Sequence, residues 1–409
     1  MKISLAIIAA LSISFSTKAA TIKTNPIANS IHNAIHKAHS CDTIIIEKGT
    51  YHEHDIIIDK KLFIIGKDFP VIDAMNKYQA FIIKSDSTLI EGIQIQNIGN
   101  ASITDMAGIK IIDAKNVTVK GNRLIDNTFG IYLQNASHCS IINNTVYANK
   151  KDAMNGGNGI HAWHCNNLTI RGNDICGHRD GIYFEFVTNA SITANNSHGN
   201  ARYGLHFMFS NNDTYSQNIF MNNGAGVAVM YSKQVFMQNN SFLHNWGDAS
   251  YGLLLKEISD SRIEHNKFIK NTVAIHMETT TNVDVTQNLF QDNGWAIRVQ
   301  ASCSGSNFIQ NNFIGNSFDV ATNGSMVLND FNHNYWDKYD GYDLNKNNIG
   351  DVPYYPVSVY SVVTEKIPTT MILYRSLLTD VMEQVEKVLP TLIPDKLKDD
   401  YPQMKKLKL

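Results

Sequence analysis

From Gly108 onward, apolar and polar residues alternate in short bursts that restart at a near-constant interval. The bursts read "GIKII" at Gly108, "GIYLQ" at Gly130, "GIHAW" at Gly159, "GIYFE" at Gly181, "GLHFM" at Gly204, "GVAVM" at Gly226, "GLLLK" at Gly252, "AIHME" at Ala274 and "AIRVQ" at Ala296. Successive starts lie 22, 29, 22, 23, 22, 26, 22 and 22 residues apart, the long gaps carrying insertions such as the Gly-rich "DAMNGGNG" (Asp152–Gly159). Each burst has the two-residue period of a strand. A fixed repeat of this length marks a solenoid, whose units bury their apolar faces only by stacking.

Each repeat also holds an Asn followed, two residues on, by an apolar side chain. Asn122, Asn144, Asn173, Asn218, Asn266, Asn288 and Asn334 share this phase, and a second Asn often follows five residues later (Asn127, Asn149, Asn223, Asn271, Asn293). At constant phase these amides stack coil on coil, satisfying buried turn backbone and one another. Short β-rich runs, Asn turns and this period predict an all-β, right-handed parallel β-helix. Helical solenoids are disfavoured because β-branched residues are frequent and no helical stripe runs between repeats. The many Asn-x-Ser/Thr triplets are read as turns of the ladders.

The stretch Thr43–Ala74 follows the same grammar and begins the solenoid. "AIHKAHS" (Ala34–Ser40) is expected to form a short amphipathic cap. Beyond "NYWDKYDGYD" (Asn334–Asp343) the pattern stops. From Met371 to Leu389, apolar residues return at helical spacing before Pro390. Its charges, Arg375, Asp380, Glu383, Glu386 and Lys387, argue against a membrane span. This segment is expected either to cap the solenoid or to dock on a partner. The chain therefore divides into residues 1–20, the β-helix 21–357 and a C-terminal extension 358–409 with an amphipathic helix.

Aligned on the bursts, the first and third residues after each Gly or Ala are apolar and fill the core. The second and fourth face outward. The second-position column runs Lys110, Tyr132, His161, Tyr183, His206, Ala228, Leu254, His276, Arg298. The fourth runs Ile112, Gln134, Trp163, Glu185, Met208, Met230, Lys256, Glu278, Gln300. With coils about 4.8 Å apart, Met208 stacks on Met230, Glu185 lies one coil away and His206 is alongside. His161 lies two coils before His206. Thioether with imidazole selects soft Cu(I) over zinc or calcium. His161, Glu185, His206, Met208 and Met230 are thus candidate copper ligands, or else side chains that pack under a covering loop or partner. His164 and Cys165 could extend the site or serve structure alone.

Oxygen-bearing residues at alternate positions in "DLNKNNIGD" (Asp343, Asn345, Asn347, Asp351) resemble a calcium loop. The usual Gly is Asn348, and Tyr354 stands where a bidentate Glu belongs. An Asn/Asp-rich turn is the other reading.

Composition narrows the functional classes. Charged residues are 18% and the formal net charge is −2, which points away from nucleic acid and disorder. Met1-Lys2, an apolar run from Ile3 to about Phe15 and small residues near Ala19–Ala20 predict a secretory signal peptide. The five scattered cysteines (Cys41, Cys139, Cys165, Cys176, Cys303) are odd in number, so at least one is unpaired within the chain. They are read as buried thiols. Outward carboxylates are sparse. Glu185 and Glu278 lie four coils apart, roughly 19 Å, too far for a glycosidase pair. "HRD" (His178-Arg179-Asp180) reads as a salt-bridged corner. No catalytic residue is assigned.

The segments "NGGNGIHAWHCNN", "GHRDGIYFEFVTN", "RYGLHFMFSNND", "GAGVAVMYS", "YGLLLKEISDS", "NGWAIRVQASC" and "GYDLNKNNIGDVPYYPV" resemble the NosD family, periplasmic maturation proteins of nitrous oxide reductase. The resemblance covers essentially the mature chain and is densest from Asn155 to Val357. It implies a copper-binding, non-catalytic β-helix protein of the periplasm. Such a protein works with an ABC-type ATPase and its membrane subunit, and delivers copper to the reductase during assembly of its Cu/S cluster. The partners implied are that transporter, through which the protein would sit at the inner membrane, nitrous oxide reductase and a copper-donor chaperone. The copper is expected as Cu(I). Two other classes compete: a carbohydrate-active or carbohydrate-binding β-helix protein, and a metal-free scaffold.

Overall fold

The computed structural model describes residues 19–101, 104–149, 156–324, 328–373, 376–379, 381–382 and 397–409. Nearly all of the expected signal peptide lies outside the described residues, as do Asp152–Asn155 of the Gly-rich insertion. So do Arg375, Asp380 and 383–389 of the expected C-terminal helix.

The chain winds into a parallel β-solenoid with three walls. Among the described residues, the first holds 14 strands, from Thr21–Thr24 to Leu328–Asn332. The second holds 13, from Thr50–Tyr51 to Tyr335–Trp336, and the third 12, from Ile56–Ile58 to Phe318–Ala321. Strands in a wall come from successive coils and pair in parallel, so side chains at equivalent positions stack along the axis. The predicted right-handed parallel β-helix is the fold.

Inward residues form continuous columns. On the third wall Ile182, Phe184, Leu205, Phe207, Val227 and Val229 are fully buried. On the second wall Phe220, Phe242, Phe268, Phe290 and Phe313 stack with centroids 4.5–5.5 Å apart, ending on Trp336. Stacked rings bury large apolar area with few side-chain torsions to order.

At one corner Asn122, Asn144, Asn173, Asn195, Asn218, Asn240, Asn266, Asn288, Asn311 and Asn334 form one ladder. The Asn218 backbone N–H donates to Asn240 Oδ1 at 3.0 Å, and its Nδ2 donates to that oxygen and to Ile192 O. Every rung repeats this pattern. The turn backbone is thereby paired although it is buried. Asn200, Asn223, Asn245, Asn271, Asn293 and Asn316 form the second ladder. Asn149 stands outside it: it is exposed, and its N–H donates to Asp126 Oδ1.

The N-terminal cap is a helix at Ser30–Lys37, four residues ahead of the predicted start. Glu53 sets that start, because its carboxylate accepts from the N–H groups of Ile31 and His32 and from Ser30 Oγ. An anion from a later coil thus satisfies the helix N-terminus. At the other end a helix at Val359–Lys366 lies against the third wall. A 3-10 turn at Pro368–Leu373 follows it, where helical spacing had suggested the start of a longer α-helix. Residues 397–409 return to the solenoid, and Asp399 closes the first Asn ladder.

Candidate metal centre

The third-wall strands bend. In a straight strand residues three apart face opposite sides, yet the rings of Tyr203 and His206 lie 4.8 Å apart, and those of Phe129 and Tyr132 5.8 Å apart. The turn is made at the glycine. A Cβ on Gly204 would lie 2.7 Å from Gly226 O and 2.8 Å from Asn223 Nδ2, so the backbone packs too closely on the next coil for any side chain. The bend folds the residue before the glycine towards the second-position column, and together they line a crease. The fourth-position column lies on the flat beyond it.

Strand register confirms the columns. Tyr183 pairs with His206 and His206 with Ala228; Glu185 pairs with Met208 and Met208 with Met230. The two columns differ in exposure. Glu185, Met208 and Met230 are half-buried, whereas His206 is 2% exposed.

Met208 and Met230 therefore stand side by side on adjacent strands. The Tyr183 hydroxyl lies 3.3 Å from Glu185 Oε2 and 3.6 Å from Met208 Sδ, and can donate to either. Burial, with the Glu185 carboxylate second, pushes Tyr183 up to about 12, so it stays a neutral donor. Lys256 follows Met230 in the column and pairs with Glu278 at 3.8 Å. The donor set on the flat is thus two thioethers, one carboxylate and one phenol.

His206 points into the crease. Its Nδ1 accepts from Arg202 Nη2 at 2.9 Å and lies 3.5 Å from Asp180 Oδ2. With Nδ1 accepting, the proton sits on Nε2, which is buried with no hydrogen-bond partner among the described residues. Burial holds the imidazole below its usual pKa, against the opposing pull of Asp180. His161 lies between the rings of Tyr132 and Tyr183, at 4.7 and 4.8 Å. Its Nδ1 is 3.1 Å from Asn158 Nδ2, and burial, with Arg179 adding, pushes its pKa down to about 3. Both imidazoles are neutral, as a metal ligand must be. The Tyr183 ring separates them along the column. The structure thus gathers Glu185, Met208 and Met230 on the flat and sets His206 and His161 in the crease beside it.

Asp180 was recognised as a salt-bridged corner but not as a neighbour of His206. It is fully buried, 3.6 Å from Arg179 Nη2 and 3.3 Å from Arg202 Nε. The available signal was a lone acid in a column otherwise held by Ala107, Phe129, Asn158, Tyr203, Ala225, Tyr251, Val273 and Trp295.

Beyond the methionines, His164, Phe186, Phe209 and Tyr231 stack at 4.6, 5.2 and 5.0 Å. All four have φ between 50° and 54°. Bulky side chains are uncommon in this left-handed region, and Phe186 and Phe209 remain about 40% exposed. Cys165 lies behind them with Sγ 3.3 Å from Trp163 O, and burial pushes its thiol up to about 12. It is a neutral thiol here. All five cysteines are free.

The Asp343–Asp351 loop turns its oxygens on its own backbone. Asp343 accepts from Asn347 and Asn348 N–H, Asn345 from Asn347, Asn347 from Ile349 and Asp351 from Leu344. Among the described residues, no three His, Cys, Asp or Glu side chains gather around one point.

With the fold and wall in view, the chain compares with known proteins as follows. Residues 150–349 match the family model described as "Periplasmic copper-binding protein (NosD)", and residues 10–157 match a right-handed β-helix region. The chain is 24% identical over 378 residues to the probable ABC transporter binding protein NosD of Pseudomonas aeruginosa, covering 86% of each. It is also 24% identical to the protein of the same name from Stutzerimonas stutzeri, covering 82% of this chain and 80% of that one. These matches together support the NosD family for this chain. The family match spans the coils that carry His161, Glu185, His206, Met208 and Met230. Solved structures share the fold alone. The A-module of the mannuronan C-5 epimerase AlgE4 of Azotobacter vinelandii aligns with TM-score 0.55 at 13% identity, over 71% of this chain and 91% of that one. The PfbA adhesin of Streptococcus pneumoniae aligns with TM-score 0.56 at 13% identity, over 72% and 88%.

Proposed function

We propose that this NosD-family chain is a periplasmic, non-catalytic accessory protein that carries Cu(I) on the open part of its third wall. It receives or delivers copper for assembly of the Cu/S cluster of nitrous oxide reductase. It works with an ABC transporter, comprising a membrane subunit and its ATPase, and with a copper-donor chaperone, and is exported by its signal peptide. The in-register pair Met208–Met230 carries the reading. Two adjacent thioethers beside a carboxylate suit a soft monovalent ion. His206 and His161 are neutral and lie next to them. Being on an outside wall, the pair would bind cargo reversibly and be covered by whichever partner exchanges it. Calcium forms no part of this reading, which rests on the thioether pair. The cellular test replaces Met208 and Met230 together by Ala. The reductase is then expected to accumulate with less than its full copper, whereas a fully metallated enzyme would refute the assignment.

A further inference from the structure

The crease is already occupied at one end by the chain itself. Helix Val359–Lys366 lies along its last coils, with Tyr360 against Phe318 at 5.7 Å and Glu365 Oε1 on Arg298 Nη2 at 2.5 Å. The Arg298 guanidinium lies over the Trp295 ring, 5.5 Å from its centroid, and Trp295 stacks on Phe318 at 5.3 Å. The seat therefore consists of stacked rings, a guanidinium lying on one of them, and a helix whose aromatic meets the rings and whose carboxylate meets the guanidinium.

Four coils away, roughly 19 Å along the axis, a guanidinium again lies over a ring of the crease, with no helix of the described residues on it. The Arg202 guanidinium lies over Tyr203, 4.6 Å from its centroid, and Tyr251, two coils on beyond Ala225, adds a second half-buried ring. Arg179 joins it from the preceding coil. The side chains of Arg179 and Arg202 are 30% and 39% exposed, and both share the single carboxylate of Asp180, which is fully buried. The neighbouring imidazoles are neutral. One carboxylate against two guanidiniums leaves positive charge at the open crease. At Arg298, by contrast, a carboxylate from the helix supplies the balance.

We propose that the Arg179–Arg202–Tyr203–Tyr251 stretch of the crease is a docking seat for an amphipathic helix of another polypeptide, one bearing an aromatic side chain and a carboxylate about five residues later. The spacing is that of Tyr360 and Glu365 on the chain's own helix. Guanidinium–carboxylate pairing at a partly desolvated site gives such a contact its specificity. The seat is separate from the thioether pair and does not depend on the copper reading.

The probe is a synthetic peptide with the sequence of residues 358–367 (SVYSVVTEKI), carrying benzoylphenylalanine in place of Tyr360, photolysed with the intact protein. Crosslinks are expected at the Arg202–Tyr203 and Tyr251 segments. They should fall about fivefold or more with the peptide carrying Glu365→Gln, a comparison that leaves the protein unaltered. Protein with Arg179→Gln and Arg202→Gln should lose the same crosslinks while retaining any at Phe318. Equal labelling by the Glu and Gln peptides would overturn the proposal. So would labelling confined to the Trp295–Phe318 end, where the peptide merely exchanges with the resident helix.

Discussion

Asp399 stands where the next asparagine of the ladder would follow Asn334. Its Oδ2 accepts from the Asn334 backbone N–H at 2.9 Å and from Asn334 Nδ2 at 3.1 Å, as each asparagine does for the rung before it. The carboxylate also accepts from Trp336 Nε1 and from the N–H groups of His333 and Tyr401. A residue far down the sequence thus ends a stack that would otherwise expose unpaired amides.

Asp399→Ala is therefore expected to destabilise the protein by about 2–3 kcal/mol, since several buried donors lose a charged acceptor. Urea unfolding followed by β-sheet circular dichroism measures this. Truncation after Lys366 removes the same cap and should lower stability too, although the repeat pattern alone suggests that such a truncation spares the solenoid. An unchanged midpoint in both variants would mean that the cap is dispensable.

Within the ladder, Asn218→Ala or Asn288→Ala should cost about 1–3 kcal/mol each, because each deletion strands a neighbour's backbone N–H and side-chain amide. Asn149→Ala should have little effect, that residue being exposed and outside the ladder. The contrast between buried and exposed asparagines is the readout in a thermal-shift series.

A pH dependence is expected from Asp213. Its Oδ1 accepts from Ala190 N–H, its Oδ2 is buried with no partner among the described residues, and burial raises its pKa to about 8. Between about pH 4, where the unfolded carboxyl ionises, and about pH 8, the folded state keeps a proton that the unfolded state has released. Its contribution to stability is therefore fully present below pH 4 and is lost as pH rises to 8. Asp213→Asn should flatten the fall in stability over that window and be the more stable form at pH 8. Parallel pH–stability curves for the two proteins would contradict the assignment.

The solenoid was legible in the sequence because its constraint is strictly periodic. An asparagine must recur at one phase to continue the stack, and strands paired coil on coil keep equivalent residues in register, so the Met208–Met230 pair could be read off the spacing. Contacts that obey no local period were not legible. Glu53 capping the helix at Ser30 and Asp399 capping Asn334 join residues distant in sequence, and neither leaves a spacing signal. The burial of His206 was also hidden. Outward alternation predicts exposure, but the bend at Gly204 turns that face into a crease filled by Tyr203, Arg202 and Asp180. The helix seated on Arg298 was missed because Val359–Lys366 carries only a weak apolar stripe beyond the last repeat.

The central claim rests on the two thioethers, and Cu(I) affinity measured by competition with a chromophoric Cu(I) chelator tests it most directly. The protein with Met208→Ala and Met230→Ala should bind Cu(I) at least about tenfold more weakly than the parent, with nearly the same unfolding midpoint, since neither side chain fills the core and thioethers are the soft ligands of this wall. A variant with Cys165→Ser should bind as the parent does, its thiol being buried and protonated. Unchanged affinity in the double methionine variant would contradict the account and leave Met208 and Met230 as packing residues.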